Sequence, residues 1–482
     1  MTLANRSLVT IDDLSNGEIE AVFSLADEMS EAVNKQSAVC RGKIMASLFF
    51  EPSTRTRLSF EAAMHRLGGS VISAVDIGAT SLAKGESLAD MAKVVGSYAD
   101  IIVIRHPWEG AAKVVADYAG VPVINAGDGG HQHPTQTLCD LYTIKKERQT
   151  IKGLKIALWG DLKYGRTIHS LIFALAKFGA NILFCSSPGL EVPEHVLTKL
   201  TSEYGGELER FGNPDEAVKK GSFPLNAAYM TPSSPHQLAM MPDISVEVEL
   251  RAGVDALYVT RPQEERFDTV EEGQELKGKY PVVDKRLLKG KAFREALVMH
   301  PLPRVDELAY EVDADPRSMY FKQAARGVPI RMALIALLLG NKEVSVPEED
   351  GSLIQKTDHP RYRHDFGIRC PNPKCVSIQE TETKYIMPEF KIVNRQPMTL
   401  RCVYCEHGFE PQYVASSDWH DGRVDGKKYH NADSHLARKI RTENLIVFNS
   451  ASEADAQGFK PSHYAGAHCQ GNNEGEISKK RR

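Results

Sequence analysis

The chain has 482 residues, a formal net charge of -4 and 42% apolar residues. At about 150 residues per domain, this length predicts three or four domains. The small net charge excludes a broad basic field for nucleic acid or membrane lipid, and we find no apolar run long enough to span a bilayer. Because residues 1–13 also lack the features of a signal peptide, we expect a cytoplasmic protein without membrane or nucleic-acid partners.

The first 150 residues alternate between predicted strands and helices. Apolar runs predict strands at 43–50, 71–74, 101–104 and 121–125. Helical spacing of apolar residues predicts helices within 5–36, at 54–67, at 88–98 and from Pro134 onward. This alternation predicts a parallel sheet covered on both faces, where ligands collect at the carboxyl ends of the strands.

The stretch Ser53-Thr54-Arg55-Thr56-Arg57 joins the first predicted strand to its helix. Unpaired N–H groups and the helix dipole favour an anion there, and two hydroxyls with an arginine fork match phosphate oxygens. The alternative is an ordinary capping box, since Ser or Thr followed by an acid is common before helices. These five residues alone do not decide between the two.

Two further strand ends carry candidate ligand-binding side chains. Arg105 directly follows the strand predicted at 101–104, so we expect it at the same sheet edge as Ser53 rather than on a solvated surface. His133 and Gln136 flank the helix start that Pro134 favours. The helix dipole would keep His133 neutral, able to donate an N–H to a carbonyl oxygen, although capping or packing is the alternative for a lone histidine.

A second alternating series follows, with predicted strands at 154–159, 256–260 and 297–299 and a predicted helix at 330–339. The turn at 160–166 reads Gly-Asp-Leu-Lys-Tyr-Gly-Arg. Because its spacing is not G-x-G-x-x-G and Arg166 occupies it, we predict a carboxylate-binding arginine instead of a nicotinamide site. Pro301 and Pro303 restrict the last loop, where a cis X-Pro bond would aim backbone groups at a ligand. Two α/β domains are thus predicted to face one cleft.

Four of the eight cysteines form two close pairs, Cys370-x4-Cys375 and Cys402-x2-Cys405. In a reducing compartment such pairs indicate a metal rather than disulfides. Four thiolates suit a tetrahedral zinc ion, and the metal would supply folding energy to so short a segment. We therefore predict one structural Zn²⁺ per chain.

Four motifs, in order, resemble the catalytic chain of the aspartate carbamoyltransferase family. They are Ser-Thr-Arg-Thr at 53–56, His-Pro-Thr-Gln at 133–136, Gly-Asp-Leu-Lys-Tyr-Gly-Arg at 160–166 and His-Pro-Leu-Pro-Arg at 300–304. The resemblance implies an α/β fold of two doubly wound parallel-sheet domains, residues 1–150 for carbamoyl phosphate and 151–340 for aspartate. It also implies transfer of the carbamoyl group to L-aspartate, giving N-carbamoyl-L-aspartate and phosphate, an early step of pyrimidine biosynthesis.

The resemblance further implies roles for individual residues. The expected catalytic residues are Arg55, Thr56, Arg105 and His133, and carbamoyl phosphate would be held by these four with Ser53, Thr54, Gln136, Leu302 and Pro303. The expected aspartate-binding residues are Arg166, Arg261 and Gln263, with Ser81 and Lys84, which in this family reach the site of a neighbouring subunit. A homotrimer with shared active sites is therefore expected, without a catalytic metal or an organic cofactor.

Two alternatives accompany this interpretation. Ornithine carbamoyltransferase shares the phosphate motif but recognises a cationic side chain and characteristically has a cysteine in the loop corresponding to 300–304. This chain has His-Pro-Leu-Pro-Arg there, and Arg261 with Gln263 favours a dicarboxylic acceptor. A catalytically silent zinc scaffold is the second alternative, but it would require degraded catalytic positions, and the motif residues are intact.

The remainder of the chain resembles two small modules. Residues 358–415 resemble the zinc domain of the family's regulatory chain, which docks on the catalytic chain. We expect a small β-rich fold, through which a larger assembly could form. In that family a nucleotide-binding domain precedes the zinc domain, but the linker at 341–357 is too short for one. We therefore predict a fused chain without the usual ATP/CTP site.

Residues 416–482 resemble a small α+β metal-binding module of the Ada type, followed by a basic tail. Ser434, Ser462 and Ala465 stand where that module has cysteines, so we expect no working zinc site there. The segment 211–254 is longer than the family usually has at this place, and the sequence does not predict its structure.

Overall fold

The computed structural model describes residues 3–32, 37–186, 189–204, 208–211, 227–230, 253–267, 280, 282–347, 359–363, 368–380, 385–417 and 427–462. Its contacts divide the chain into two compact units. The first comprises residues 1–357, 372–386 and 404–406, and the second comprises the other residues from 358 onward. None of the described helices combines the length and apolarity needed to cross a membrane.

The first unit begins with a four-stranded parallel sheet in the order β2-β1-β3-β4. Its strands are β1 (Ile44–Phe49), β2 (Ser70–Val75), β3 (Ile101–His106) and β4 (Val123–Asp128). The accompanying helices are α1 (Asn16–Ala32), α2 (Thr54–Arg66), α3 (Leu88–Gly96), α4 (Ala111–Tyr118) and α5 (Pro134–Arg148). The central strands are almost wholly buried, as expected for a parallel sheet covered by helices.

A six-stranded parallel sheet follows in the order β10-β9-β5-β6-β8-β7. Its strands are β5 (Lys155–Gly160), β6 (Asn181–Ser186), β7 (Leu208–Phe211), β8 (Ala227–Met230), β9 (Ala256–Val259) and β10 (Leu297–Met299). Its helices are α6 (Arg166–Lys177), α7 (Glu194–Tyr204) and α8 (Lys285–Leu288). The two sheets with their helices confirm the predicted pair of α/β domains.

A long helix, α9 (Tyr320–Leu338), returns from the second sheet to pack against α1, α2 and α5. The sequence prediction placed this helix at 330–339, and its start was wrong by about three turns. Gly327 and Pro329 interrupt the helical pattern and read as breakers. In the fold, both lie inside the helix, and Pro329 is buried.

The second unit contains two four-stranded sheets. The first joins β11 (Arg361–Tyr362), β12 (Phe390–Arg395), β13 (Met398–Cys402) and β14 (Gly408–Phe409), all antiparallel. The second has the order β17-β15-β16-β18, from β15 (Tyr413–Ser416), β16 (Lys428–Asn431), β17 (Leu445–Phe448) and β18 (Lys460–Pro461). A short helix, α11 (Ala451–Ala456), follows β17, whereas α10 (Val376–Gln379) belongs to the first unit.

The second sheet of this unit has its own apolar core, which includes Tyr429, Phe448 and Phe459. His430 Nδ1 lies 2.8 Å from the Ser462 hydroxyl, one of the positions where an Ada-type module would have a cysteine. The described residues do not include 463–482, with Ala465, or most of 211–254. The expectations for the tail and for the long segment therefore remain predictions.

Candidate active site

A cavity of about 570 Å³ opens where strands of both parallel sheets end. Its walls come from the carboxyl ends of β1, β3, β4, β5, β9 and β10 and the loops after them, together with one side of α9; Arg105 lies within β3 itself. This is the crevice where open α/β sheets bind ligands. The predicted residues that line it are Ser53, Thr54, Arg55, Thr56, Arg105, His133, Gln136, Arg166, Arg261, Gln263, Leu302 and Pro303.

Ser81 and Lys84 are the two predicted substrate-binding residues that do not line this cavity. They lie at the ends of a short 3₁₀ turn after β2, and both are exposed. β2 is an edge strand and is mostly exposed, unlike β1 beside it. Their position leaves the predicted contribution to a neighbouring subunit's site untested.

The phosphate motif occupies the start of the 13-residue helix α2. Ser53 is the N-cap residue in extended conformation, but its side chain makes no capping hydrogen bond. The ordinary capping box that the sequence left open is therefore absent. Ser53, Thr54 and Thr56 line the cavity, beside the positive end of the helix dipole.

Positive charge dominates the cavity. Six arginines line it, and Glu51 is the one carboxylate among the described residues that do so. The six are Arg55, Arg105, Arg166, Arg261, Arg266 and Arg331. Burial and the nearby Arg166 guanidinium lower the pKa of Arg105 to about 9. Burial and Arg261 likewise lower the pKa of Arg55. Such crowded like charges favour an anionic ligand, because an anion relieves their mutual repulsion.

Glu51 holds three of these arginines together. Its Oε1 and Oε2 accept from Arg166 at 2.9 and 2.8 Å, while Oε1 also accepts from Arg105 at 3.2 Å and Arg266 at 3.0 Å. Burial alone would raise the pKa of Glu51, but these guanidinium groups, led by Arg166, lower it to about 2. Glu51 and Arg266 were not predicted as site residues. Glu51 directly follows the first strand, which is a signal that could have found it.

The imidazole ring of His133 caps the start of α5, and His133 also lines the cavity. Its Nδ1 accepts from the Gln136 N–H at 3.4 Å, which leaves Nε2 as the protonated nitrogen of the neutral ring. Burial, with Arg166 and Arg105 nearby, holds the pKa of His133 well below its usual value. The sequence presented capping and donation to a ligand as alternatives. His133 can do both, because Nδ1 caps the helix and Nε2–H remains to donate.

Asp140 is a buried carboxylate behind the cavity that the sequence interpretation missed. Its Oδ1 accepts from Gln136 Nε2 at 2.7 Å and Gln323 Nε2 at 2.6 Å, and its Oδ2 accepts from the Tyr258 hydroxyl at 2.8 Å. Burial raises the pKa of Asp140 to about 7, against the effect of these three donors. Asp140 lies one helical turn after Gln136, so the spacing was a usable signal.

The loop after β10 presents backbone to the cavity. The Leu302–Pro303 peptide bond is cis, as the two prolines suggested. His300 Nδ1 accepts from the Leu302 N–H at 2.8 Å, and His300 Nε2 lies 2.8 Å from Glu307 Oε1. Because the Leu302 N–H is already bonded, a contact between Leu302 backbone and a carbamoyl amide would use the carbonyl oxygen.

The four predicted metal ligands come together. The sulfurs of Cys370, Cys375, Cys402 and Cys405 all lie within 4.8 Å of one another and are buried. Four thiolates around a tetrahedral zinc ion at about 2.3 Å would be separated by about 3.8 Å, so this donor set fits the metal. The arrangement supports a zinc site, and no second cluster of this kind occurs in the described part of the chain.

A second group of charged side chains surrounds Glu406, the residue after Cys405, within the first unit. Glu406 lies 2.8 Å from Lys199 and 3.2 Å from His131. Asp12 lies 2.9 Å from the same Lys199 amine, and Asp128 lies 3.0 Å from the other nitrogen of His131. Burial lowers the pKa of His131, but the two carboxylates raise it well above its usual value, so this cluster pairs its own charges.

Family models match nearly the whole chain up to α9. The carbamoyl-phosphate-binding domain of aspartate/ornithine carbamoyltransferases matches residues 6–146, and the Asp/Orn-binding domain matches 152–225 and 226–338. The chain belongs to the aspartate/ornithine carbamoyltransferase family. The metal-binding domain of the aspartate carbamoyltransferase regulatory chain also matches residues 364–415 of this family member. The predicted family, with its fused zinc domain, is confirmed.

Curated aspartate carbamoyltransferase catalytic subunits are similar to 70% of the chain. The aspartate carbamoyltransferase catalytic subunit of Thermoplasma acidophilum is 48% identical over 341 residues, which are 70% of this chain and 100% of that protein. That of Thermococcus kodakarensis is 47% identical over 342 residues, 70% of this chain and 99% of that protein.

Solved structures agree in fold. The catalytic subunit of M. jannaschii aspartate transcarbamoylase is 42% identical, with a TM-score of 0.56, over 70% of this chain and 98% of that one. The Trypanosoma cruzi enzyme in complex with carbamoyl phosphate and aspartate is 35% identical, with a TM-score of 0.57, over 70% of this chain and 98% of that one.

Proposed function

We propose that this chain transfers the carbamoyl group of carbamoyl phosphate to L-aspartate in de novo pyrimidine biosynthesis. One observation carries the proposal: six arginines and a helix start converge on a cavity whose only described carboxylate is Glu51. Carbamoyl phosphate and aspartate are both anions, which this arginine-rich lining would attract. The Trypanosoma cruzi relative, crystallised with both compounds, supports the same assignment.

In this proposal, one wall of the cavity holds the phosphate. The α2 N-terminus with Ser53, Thr54 and Thr56 donates hydrogen bonds to its oxygens, and Arg55 and Arg105 neutralise its charge. Gln136, held by Asp140, and the Leu302 carbonyl orient the carbamoyl amide, with Pro303 shaping the loop. Glu51 already holds Arg105 and Asp140 already holds Gln136 before a substrate binds, which is the condition for electrostatic stabilisation of a transition state.

Aspartate would bind beside the phosphate, because Glu51 holds Arg166 next to Arg105. Arg166, Arg261 and Gln263 line the cavity and would bind its two carboxylates, which favours a dicarboxylic acceptor over ornithine. The aspartate amine attacks the carbamoyl carbon, a C–N bond forms, and the C–O bond to phosphate breaks. His133 Nε2–H, with Arg55 and Thr56, stabilises the negative oxygen, and a phosphate oxygen takes the amine proton.

A homotrimer with shared sites is part of the proposal. Three apolar side chains are exposed on α2 and the edge strand β2: Leu58 (50% exposed), Ile72 (42%) and Val75 (43%). A neighbouring copy on this surface would bury them and would bring Ser81 and Lys84 towards a site other than their own. Mass by light scattering tests this assembly.

We further propose the following organisation: residues 1–150 and 151–340 for catalysis, 341–357 as linker, 358–415 as a domain with one structural zinc, and 416–482 as a degenerate Ada-like module with a basic tail. Four zinc-binding thiols suit the reducing cytoplasm, where we place the protein. Without room for a nucleotide-binding domain in the linker, CTP should not bind away from the cavity, and isothermal titration with CTP tests this.

The test of the function is colorimetric detection of carbamoylated product with aspartate or ornithine as the acceptor. We expect product from aspartate only, and a strongly raised aspartate KM in Arg261→Ala, because one carboxylate partner is lost. Arg41→Ala, which changes an exposed arginine outside the cavity, is the matched control. Product from ornithine would favour the other branch of the family, and no product from either acceptor would favour the silent scaffold.

A further inference from the structure

Glu406 lies next to the zinc ligand Cys405 in the chain, but its carboxylate binds side chains of the catalytic domains. Glu406 Oε1 accepts from Lys199 Nζ at 2.8 Å, and its Oε2 lies 3.1 Å from Gln132 Nε2 and 3.2 Å from His131 Nε2. Residues 404–406 belong to the first compact unit together with these partners. The segment with the metal ligand is thus bound to the turn that precedes His133.

A line of hydrogen bonds continues from Glu406 into the active site. Gln132 Nε2 donates to Glu406, the Ser170 hydroxyl donates to Gln132 Oε1 at 2.8 Å, and the His133 backbone N–H donates to Ser170 Oγ at 2.8 Å. In each of these three bonds the donor lies on the His133 side and the acceptor on the Glu406 side. Such a line of bonds polarises each member in the same direction. Gln132, Ser170 and His133 are all at least 97% buried, so water does not compete for these groups.

The same carboxylate is fixed from its other side by Lys199. The amine of Lys199 also lies 2.9 Å from Asp12 Oδ2, and its side chain is 4% exposed. Asp128 holds the far side of the turn through the Gln132 N–H at 3.1 Å and His131 Nδ1 at 3.0 Å. The position of Glu406 is therefore determined by several buried partners, and a displaced segment 404–406 would disturb the turn at 128–133.

We propose that Glu406 is a positioning residue for the active site, acting through Gln132 and Ser170 on His133. It would make the geometry of His133, and hence carbamoyl transfer, depend on the ordered metal-binding segment. This inference rests on the proposed function only for its effect on turnover. The placement of His133 by Glu406 does not depend on which reaction the site catalyses.

The experiment compares Glu406→Gln, Ser170→Ala and the double variant. Glutamine keeps one acceptor oxygen but directs an NH₂ at donors, whereas alanine at 170 interrupts the line without touching Glu406. We expect each single variant to lower kcat about ten- to a hundredfold, because a small displacement of an aligned group has effects of this size. The double variant should equal Ser170→Ala alone, since both changes break one line of bonds.

Two further readouts separate positioning from a general structural role. Hydrogen exchange at the His133 amide should accelerate in both single variants, while zinc content stays at one per chain. Glu410→Gln, an exposed carboxylate in the same region, is the matched control and should leave kcat, exchange and zinc unchanged. Because exchange needs no turnover, it tests the inference even if the wild type forms no carbamoyl aspartate.

Three results would overturn the inference. These are additive losses of kcat in the double variant, unchanged exchange at His133 in Glu406→Gln, and loss of zinc from Glu406→Gln, which would assign Glu406 to the metal site itself. An inactive wild type with accelerated His133 exchange in the variants would instead contradict the proposed function and support the positioning role.

Discussion

Two charged clusters of the first unit differ in the balance of charge among their described residues. In the cavity, six arginines face one described carboxylate, Glu51. Around Lys199 and His131, three carboxylates (Asp12, Asp128 and Glu406) face three cations, because Lys177 Nζ also lies 3.9 Å from Asp12. Buried charge is costly unless it is paired. The arginine-rich cluster lines the cavity and therefore suits anionic ligands, whereas the second, matched cluster holds segments of the chain together.

The sharpest way to test this contrast is to remove a cavity arginine. Arg105→Ala should lower kcat/KM for carbamoyl phosphate about a thousandfold, because a preorganised partner of developing negative charge is lost. Steady-state kinetics measure the effect, with Arg41→Ala expected within about twofold of wild type. A loss of less than about tenfold in Arg105→Ala would break the contrast.

Removing the only described counter-charge of the cavity should have the next largest effect. Glu51→Gln should lower kcat about a hundredfold, since Arg105, Arg166 and Arg266 lose the group that fixes them. Phosphate should raise the melting temperature of this variant more than that of the wild type, because an anion replaces the missing charge. Thermal unfolding with and without phosphate measures this, and equal shifts would contradict it.

The buried Asp140 should make stability fall as pH rises. Its pKa is about 7 in the fold against 3.8 in the unfolded chain, so the unfolded state releases this proton near pH 4 and the folded state near pH 7. The stabilisation from Asp140 is thus complete below pH 4 and is lost progressively as pH rises to 7, by on the order of 4 kcal/mol. Asp140→Asn should lack this decline in urea unfolding at several pH values. An identical pH profile would show that Asp140 is not responsible.

The matched cluster should give the smallest effect on turnover. Asp12→Asn leaves Lys199 with Glu406, so we expect a stability loss of about 1 kcal/mol and kcat within about threefold of wild type. Lys199 and Lys177 hold the pKa of Asp12 below its usual value despite burial, so its stabilisation is present above about pH 4 and lost in more acidic solution. Urea unfolding at pH 7 and pH 3 tests this. A hundredfold loss of kcat would remove the distinction between the clusters.

Sequence patterns identified site residues that are grouped in short motifs. They did not identify contacts between residues that are far apart in the sequence. Ser53 to Thr56 and His133 lie at helix starts after strands, and such local patterns are readable. The place of Glu51 after a strand was readable, but its contact with Arg166 spans 115 positions, and Glu406 meets Gln132 across 274; no local pattern reveals such contacts. The early start of α9 was missed because buried packing overrides the unfavourable Gly327 and Pro329.

The measurement that tests the central claim most directly is the effect of Arg55→Ala on turnover against its effect on binding. Carbamoyl aspartate formation at saturating substrates gives kcat, and isothermal titration gives the affinity for carbamoyl phosphate. If the cavity stabilises charge that develops during transfer, kcat should fall far more than the affinity. Near-normal turnover with only a raised KM would contradict this account.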